Sequence, residues 1–322
     1  MNVLSLFDGM SCGRIALSRA GIKVDNYYAS ELDKYAIKVT QANWPDTVQL
    51  GDVTRWREWD IDWSSIDLLI GGSPCQGFSF AGKQLAFDDP RSKLFFVYID
   101  ILNHIRTVNP DVKFLLENVK MKQEYLDVIS EHLDVKPVFI NSALVSAQNR
   151  QRWYWANWEF EEPVEISAPL SEVLETGIVD RDKAYALTAR YYKSGNGNVN
   201  RYANKSSDQL IFELHGLSDT CIAKFKRYGV KFITNNSEKS KVLTAGDYGK
   251  LGKYGNYLQS LECEASVRKL TPTEYERLQT VPYNYTHHVS NTQRYKMLGN
   301  GWTVDVIVHI FKSLQPEVSF LC

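Results

Sequence analysis

No run of 18 apolar residues occurs in the 322-residue chain, so no membrane-spanning helix is expected. The first residues, Met1-Asn2-Val3-Leu4-Ser5-Leu6-Phe7-Asp8, lack a basic region and turn acidic at once. They read as a buried strand rather than a signal peptide. Cysteine is scarce: Cys12, Cys75, Cys221, Cys263 and Cys322. The number is odd and no pair has C-x-x-C spacing, which argues against zinc ribbons and a disulfide framework. No metal site is expected. A reducing cytoplasm is the natural setting. G-x-G-x-x-G and Walker loops are both absent. That favours a nucleoside cofactor without pyrophosphate over NAD or ATP.

What is present is ordinary globular composition, with 44% hydrophobic and 12% aromatic residues. It excludes disorder as the main state, and the length suits a large domain with a smaller one. The net charge of −1 hides an asymmetry. Residues 181–253 carry 14 basic against 6 acidic residues, a balance of +8, and the rest of the chain balances at −9. Eight tyrosines fall between residues 185 and 257. Basic residues interleaved with tyrosines fit phosphate contacts plus base stacking. A solvated, loop-rich surface fits the same composition.

The first part alternates strands and helices. Val3–Phe7, Tyr27–Glu31, Val48–Leu50, Ile66–Ile70 and Lys113–Glu117 read as strands. Val135–Ile140 and Trp153–Trp158 read as a sixth and seventh. Helices are expected near Ile15–Ala20, over Asp33–Asn43 and over Leu94–Val108. This pattern predicts an α/β fold with a doubly wound, mostly parallel sheet. Ligands in such sheets sit at the carboxyl ends of the strands. The alternation is lost after Pro163. Leu187-Thr188-Ala189 and Leu243-Thr244-Ala245 echo each other and read as equivalent strands of an irregular domain. Helices return at Thr273–Leu278, with Thr271 as cap and Pro272 at the first position, and at Thr303–Leu314.

The chemistry-bearing residues fall at strand ends. Phe7-Asp8-Gly9 through Gly13 forms a tight turn after the first strand. Glu31, with Leu32 beside it, ends the second strand 22 residues after Gly9 and is placed to hold ribose hydroxyls. Gly51-Asp52 ends the third and suits an adenine edge. Turn glycines with capping acids are the plainer reading of each alone. Ser73-Pro74-Cys75-Gln76 follows the fourth strand, and a thiolate in such a loop is a nucleophile. A lone loop cysteine also reads as an inert small residue. Glu117 emerges from an apolar run and suits a proton donor, or else a cap or ion-pair partner. Gln148, Arg150 and Arg152 alternate toward one side, facing a carbonyl, a phosphate or that carboxyl, unless they are only a basic strand edge.

Together these parts resemble the cytosine-C5 DNA methyltransferases. The likeness rests on Pro74-Cys75-Gln76, Glu117-Asn118-Val119 and Gln148-x-Arg150-x-Arg152, in order and at similar spacing. It extends to Phe7-x-Gly9, Gly51-Asp52-Val53, Arg91 to Phe96, Arg268 to Gln279 and Gly299-Asn300-Gly301. The Asp8 to Cys12 stretch and Gly301-Trp302-Thr303-Val304 depart from the commoner pattern. Both look closer to the animal de novo DNA methyltransferases.

The resemblance implies a catalytic domain at 1–158 plus 266–322 that binds S-adenosylmethionine, with a target-recognition domain at 159–265. It implies Cys75, Glu117, Arg150 and Arg152 as catalytic residues. Phe7, Asp8, Gly9, Gly13, Glu31, Leu32, Asp52, Val53, Ser73, Pro74, Leu94, Asn300, Trp302 and Thr303 are the expected cofactor contacts. Gln76, Ser79, Gln148, Arg190 and Lys193 are the expected DNA contacts. The partner is double-stranded DNA, with the target cytosine flipped out. A monomer is expected, with a cognate restriction endonuclease acting separately. An RNA cytosine methyltransferase and a catalytically silent DNA-binding regulator are the alternatives. The basic middle segment argues against the first, and intact Cys75, Glu117 and Arg152 argue against the second. A modified cytosine or noncanonical cofactor has only Lys120 in its favour.

Overall fold

The computed structural model describes residues 1–74, 93–179, 181–191, 209–215, 230–233, 241–244 and 264–314. Its centre is a seven-stranded sheet. The strands are β1 (Asn2–Leu6), β2 (Asn26–Ser30), β3 (Val48–Gln49), β4 (Leu68–Gly71), β5 (Lys113–Val119), β6 (Val138–Asn141) and β7 (Gln151–Ala156). Their spatial order is β3-β2-β1-β4-β5-β7-β6. The first five pair in parallel, and β7 runs antiparallel between β5 and β6. The predicted doubly wound sheet is therefore present. The strand order reverses between β1 and β4, the place where such sheets open a ligand crevice.

Alternation along the strands makes two apolar faces. Val3, Leu68, Ile70 and Leu115 face one layer, which holds α1 (Cys12–Arg19), Val39 of α2 (Lys34–Asn43) and α8 (Val304–Lys312). Leu4, Leu69, Phe114 and Leu116 face the other, which holds α3 (Lys93–Val108) and α4 (Gln123–Leu133). Burial of each large apolar side chain contributes roughly 2 kcal/mol. Both faces are covered, which explains why β1 and β4 read as continuous apolar runs rather than alternating ones.

Beyond the sheet come α5 (Leu170–Val173), β8 (Leu210–His215), β9 (Val230–Ile233), β10 (Lys241–Thr244), β11 (Glu264–Lys269), α6 (Pro272–Leu278) and α7 (Asn291–Asn300). β8 pairs with β11 and β9 with β10, both antiparallel. Thr271 and Glu274 form a capping box with Pro272 at the helix start, as the sequence predicts. The expected echo fails in part. Residues 241–244 form a strand, but 187–189 form none. Leu170, Ile178, Ala184, Leu187 and Tyr191 instead pack into the first apolar layer.

The last segment is stitched to the sheet by buried amides and hydroxyls. Gln148 is fully buried, so it is not a surface group awaiting DNA. Its Nε2 donates to the Leu278 carbonyl at 2.7 Å and to Gln279 Oε1 at 2.8 Å, and its Oε1 accepts from the Leu187 amide at 3.4 Å. The expected DNA contact at Gln148 is thus corrected to an internal clamp. Thr303, also buried, shares the network through Ser142 and Gln279. Gln148→Ala strands several buried partners. It is expected to lower the unfolding free energy by about 2 kcal/mol, measured by chemical denaturation; an unchanged midpoint contradicts the clamp.

Candidate active site

A cavity of about 580 Å3 opens at the carboxyl ends of β1 to β5. The turn after β1 forms its floor. Phe7, Gly9 and Ser11 all take left-handed φ angles of 57°, 60° and 62°. For Phe7 and Ser11 this conformation costs on the order of 1 kcal/mol each. Neighbours hold it. The Asp8 amide donates to the Ser30 carbonyl at 3.1 Å, Tyr27 Oη donates to Asp8 Oδ1 at 2.8 Å, and the Ser11 hydroxyl bonds the other Asp8 oxygen. Burial pushes the Asp8 carboxyl up to about 6, against the pull of its hydroxyl donors. Burial likewise pushes the Cys12 thiol, on the cavity wall, up to about 12. Cys12 is a neutral thiol near pH 7, not a nucleophile.

The next wall comes from the ends of β2 and β3. Glu31 Oε2 accepts from the Gly9 amide, and its Oε1 accepts from the amides of Leu32 and Asp33, all at 2.7 Å. Asp52 Oδ1 accepts from the amide and hydroxyl of Thr54. Two carboxylates are thus oriented by backbone donors, with the exposed Leu32 at the rim. Val53, Ser73, Pro74 and Leu94 also line the cavity, as do Gly13, Asn300 and Trp302.

Glu117 sits near the end of β5, only 9% exposed. Its Oε1 meets Arg152 Nε at 2.8 Å, and its Oε2 accepts from the Trp302 indole at 3.1 Å. The antiparallel register places Arg152 opposite Val119, two residues beyond Glu117. Gly72 makes room: a Cβ there would lie 2.9 Å from Glu117 Oε2 and 3.0 Å from Trp302 Nε1.

Arg150 is placed differently from Arg152. It is buried, and its guanidinium donates to the carbonyls of Leu187, Gly299 and Gly301 at 2.9–3.3 Å. It lines the cavity and supports the backbone of the wall, in keeping with the supporting place expected of it beside Arg152. Thr303 does not line the cavity, because its hydroxyl belongs to the buried Gln279 network. Arg190 is exposed on the surface. Cys75, Gln76, Ser79 and Lys193 lie outside the described residues. Cys12, Thr54 and Met297 also line the cavity and were not expected to. Thr54 follows Gly51-Asp52-Val53, which was a usable signal; Met297 lies on a polar helix and gave none. Among the described residues, no group of His, Cys, Asp and Glu is placed to hold a metal, and no helix is long and apolar enough to cross a membrane.

A family model described as C-5 cytosine-specific DNA methylase matches residues 1–316. The chain belongs to that family. It is a DNA cytosine-C5 methyltransferase dependent on S-adenosylmethionine. Type II methyltransferase M1.ScrFI of Lactococcus lactis subsp. cremoris is 30% identical, across 98% of this chain and 78% of that protein. Type II methyltransferase M.HhaI of Haemophilus parahaemolyticus is 27% identical, across 99% and 96%. The fold is similar to that of the Entamoeba histolytica methyltransferase EhMeth, with a TM-score of 0.66 at 17% identity, covering 98% and 97% of the two chains. It is also similar to a mutant Spodoptera frugiperda DNMT2, with a TM-score of 0.61 at 18% identity, covering 97% and 99%.

The cavity suits this cofactor. Its volume lies within the usual range for small-molecule sites. The carboxylates of Glu31 and Asp52 are acceptors for hydroxyl and amine groups, and Phe7, Leu32 and Val53 supply apolar surface.

The Asp8 carboxyl gives a pH signature. Its folded value near 6 exceeds the 3.8 of an ordinary aspartate, so the folded state binds the proton more tightly. The stabilisation is full below about pH 4 and is lost as pH rises through 6. Relative to Asp8→Asn, the wild type is expected to lose about 2 kcal/mol between pH 4 and pH 7, measured by denaturation at each pH. Parallel profiles for the two proteins contradict the assignment. Gly72→Ala is expected to lower methyl transfer at least tenfold by crowding Glu117 and Trp302, as read from initial rates; a wild-type rate overturns this.

Proposed function

We propose that the chain methylates C5 of a flipped-out cytosine in duplex DNA through a covalent adduct between Cys75 and C6. The observation carrying this reading is Glu117, a buried carboxyl at a strand end, held by Arg152 and Trp302 beside a nucleoside-sized cavity. Pro74, at the cavity wall, directly precedes Cys75.

S-adenosylmethionine, when bound by Glu31, Asp52 and the turn at Phe7–Gly9, supplies an electrophilic methyl group. The protein must make C5 nucleophilic. The Cys75 thiolate forms a bond to C6 and pushes electron density toward C5 and N3. Glu117 holds N3 and the exocyclic amine and delivers a proton to N3 as charge builds. Arg152 meets O2 and stabilises the adduct. After methylation, the C5 proton passes to water, N3 returns its proton to Glu117, and Cys75 leaves as thiolate while the C5–C6 double bond re-forms. C6 is inaccessible inside a duplex, so the base must leave the stack.

We assign 1–158 plus 266–322 to catalysis and 159–265 to target recognition. The +8 charge of residues 181–253 supports contact with a polyanion, and Arg190 is exposed there. We place the enzyme in a reducing cytoplasm, as a monomer on DNA. The Type II names of its relatives support a separate endonuclease partner.

Tritiated methyl transfer from S-adenosylmethionine tests the reading. Wild type is expected to label duplex DNA in C5-methylcytosine, with Cys75→Ala inactive and Glu117→Gln slowed at least 100-fold. DNA affinity should fall steeply with added salt. Label entering tRNA but not DNA, or an active Cys75→Ala variant, overturns it.

A further inference from the structure

The backbone preceding Trp302 is fixed by two buried side chains. Arg150 donates to the carbonyls of Gly299 and Gly301, and Gln279 Nε2 donates to those of Leu298 at 2.6 Å and Gly301 at 3.2 Å. This anchorage turns the indole into the cavity wall. Its N–H reaches Glu117 Oε2 at 3.1 Å, while its ring edge lies 3.5 Å from where a Cβ on Gly13 would stand. Arg152 already holds the other carboxyl oxygen. Two donors on two oxygens fix the terminal torsion of Glu117, in space that Gly72 leaves open by lacking a side chain.

We propose that Trp302 is a positioning residue that orients the Glu117 carboxyl toward the target base. This rests on the methyl-transfer reading above. The indole lines the cofactor cavity and touches the proton donor. One side chain therefore links the cofactor cavity to the orientation of the group that faces cytosine. A ring that merely packed would serve equally well without its N–H.

Trp302→Phe keeps most of the ring and removes the donor. It is expected to lower kcat about tenfold, as loss of a hydrogen bond to a charged group does. The KM values for S-adenosylmethionine and DNA should stay within about twofold, the pattern of an interaction that acts on the chemical step. A second readout needs neither cofactor nor DNA. The chain has eight tryptophans, so eight indole N–H peaks are expected in a 1H–15N spectrum. Glu117→Gln should move the indole peak that is missing in Trp302→Phe more than any other. A wild-type kcat in Trp302→Phe, or an indole peak indifferent to Glu117→Gln, overturns the proposal. If the wild type itself transfers no methyl, the methyl-transfer reading fails, and the indole shift still decides the contact.

Discussion

A carboxylate at the end of a strand buried on both faces must be met by donors. Left alone, its desolvation costs several kcal/mol. Glu117 is in that position, and the rest of the site is arranged around it. Arg152 comes from β7, and this requires that β7 run antiparallel to β5 in the observed register. Trp302 comes from the segment between α7 and α8, some 185 residues away in sequence. Gly72 must lack a side chain because the carboxyl and the indole already occupy that space.

The same constraint ties the far end of the chain to the sheet. Residues 1–156 build the whole sheet, yet the carboxyl is incomplete without Trp302. α8 packs beside α1 in one apolar layer, and Arg19 ties the two through Asp305 and the Thr280 carbonyl. Gln148, Gln279, Ser142 and Thr303 then lock the returning segment to the approach of β7. Arg150 adds the Leu187 carbonyl to the same knot. The segment from Leu170 to Tyr191 thereby shares the core of the sheet.

Much of this was legible in the residues. The parallel strands announced themselves as short apolar runs ending in Asp-Gly, Glu, Gly-Asp, Gly-Gly and Glu-Asn. The capping box at Thr271 was written in Thr-Pro-x-Glu. Helix α4 carried a signal that the strand-centred reading passed over, with Tyr125, Leu126, Ile129 and Leu133 on one buried face. Helix α7 carried almost none, because its sequence is polar and few of its residues are buried. Alternation put Gln148, Arg150 and Arg152 on one side but did not distinguish their fates. Burial separates them: Gln148 and Arg150 find backbone carbonyls of the returning segment, and Arg152 alone reaches Glu117. The tryptophan at 302 read as a departure from a common pattern, and its hydrogen bond depends on a fold-level approach that no local spacing records.

The central claim is that this carboxyl, with Cys75, activates a cytosine covalently. A duplex carrying 5-fluorocytosine at target sites tests it most directly, since fluorine at C5 cannot leave as the proton does. With S-adenosylmethionine present, a denaturation-resistant protein–DNA complex is expected, and peptide mass mapping should place the linkage on Cys75. Methylation of normal DNA without any such complex, or a linkage on another cysteine, contradicts it.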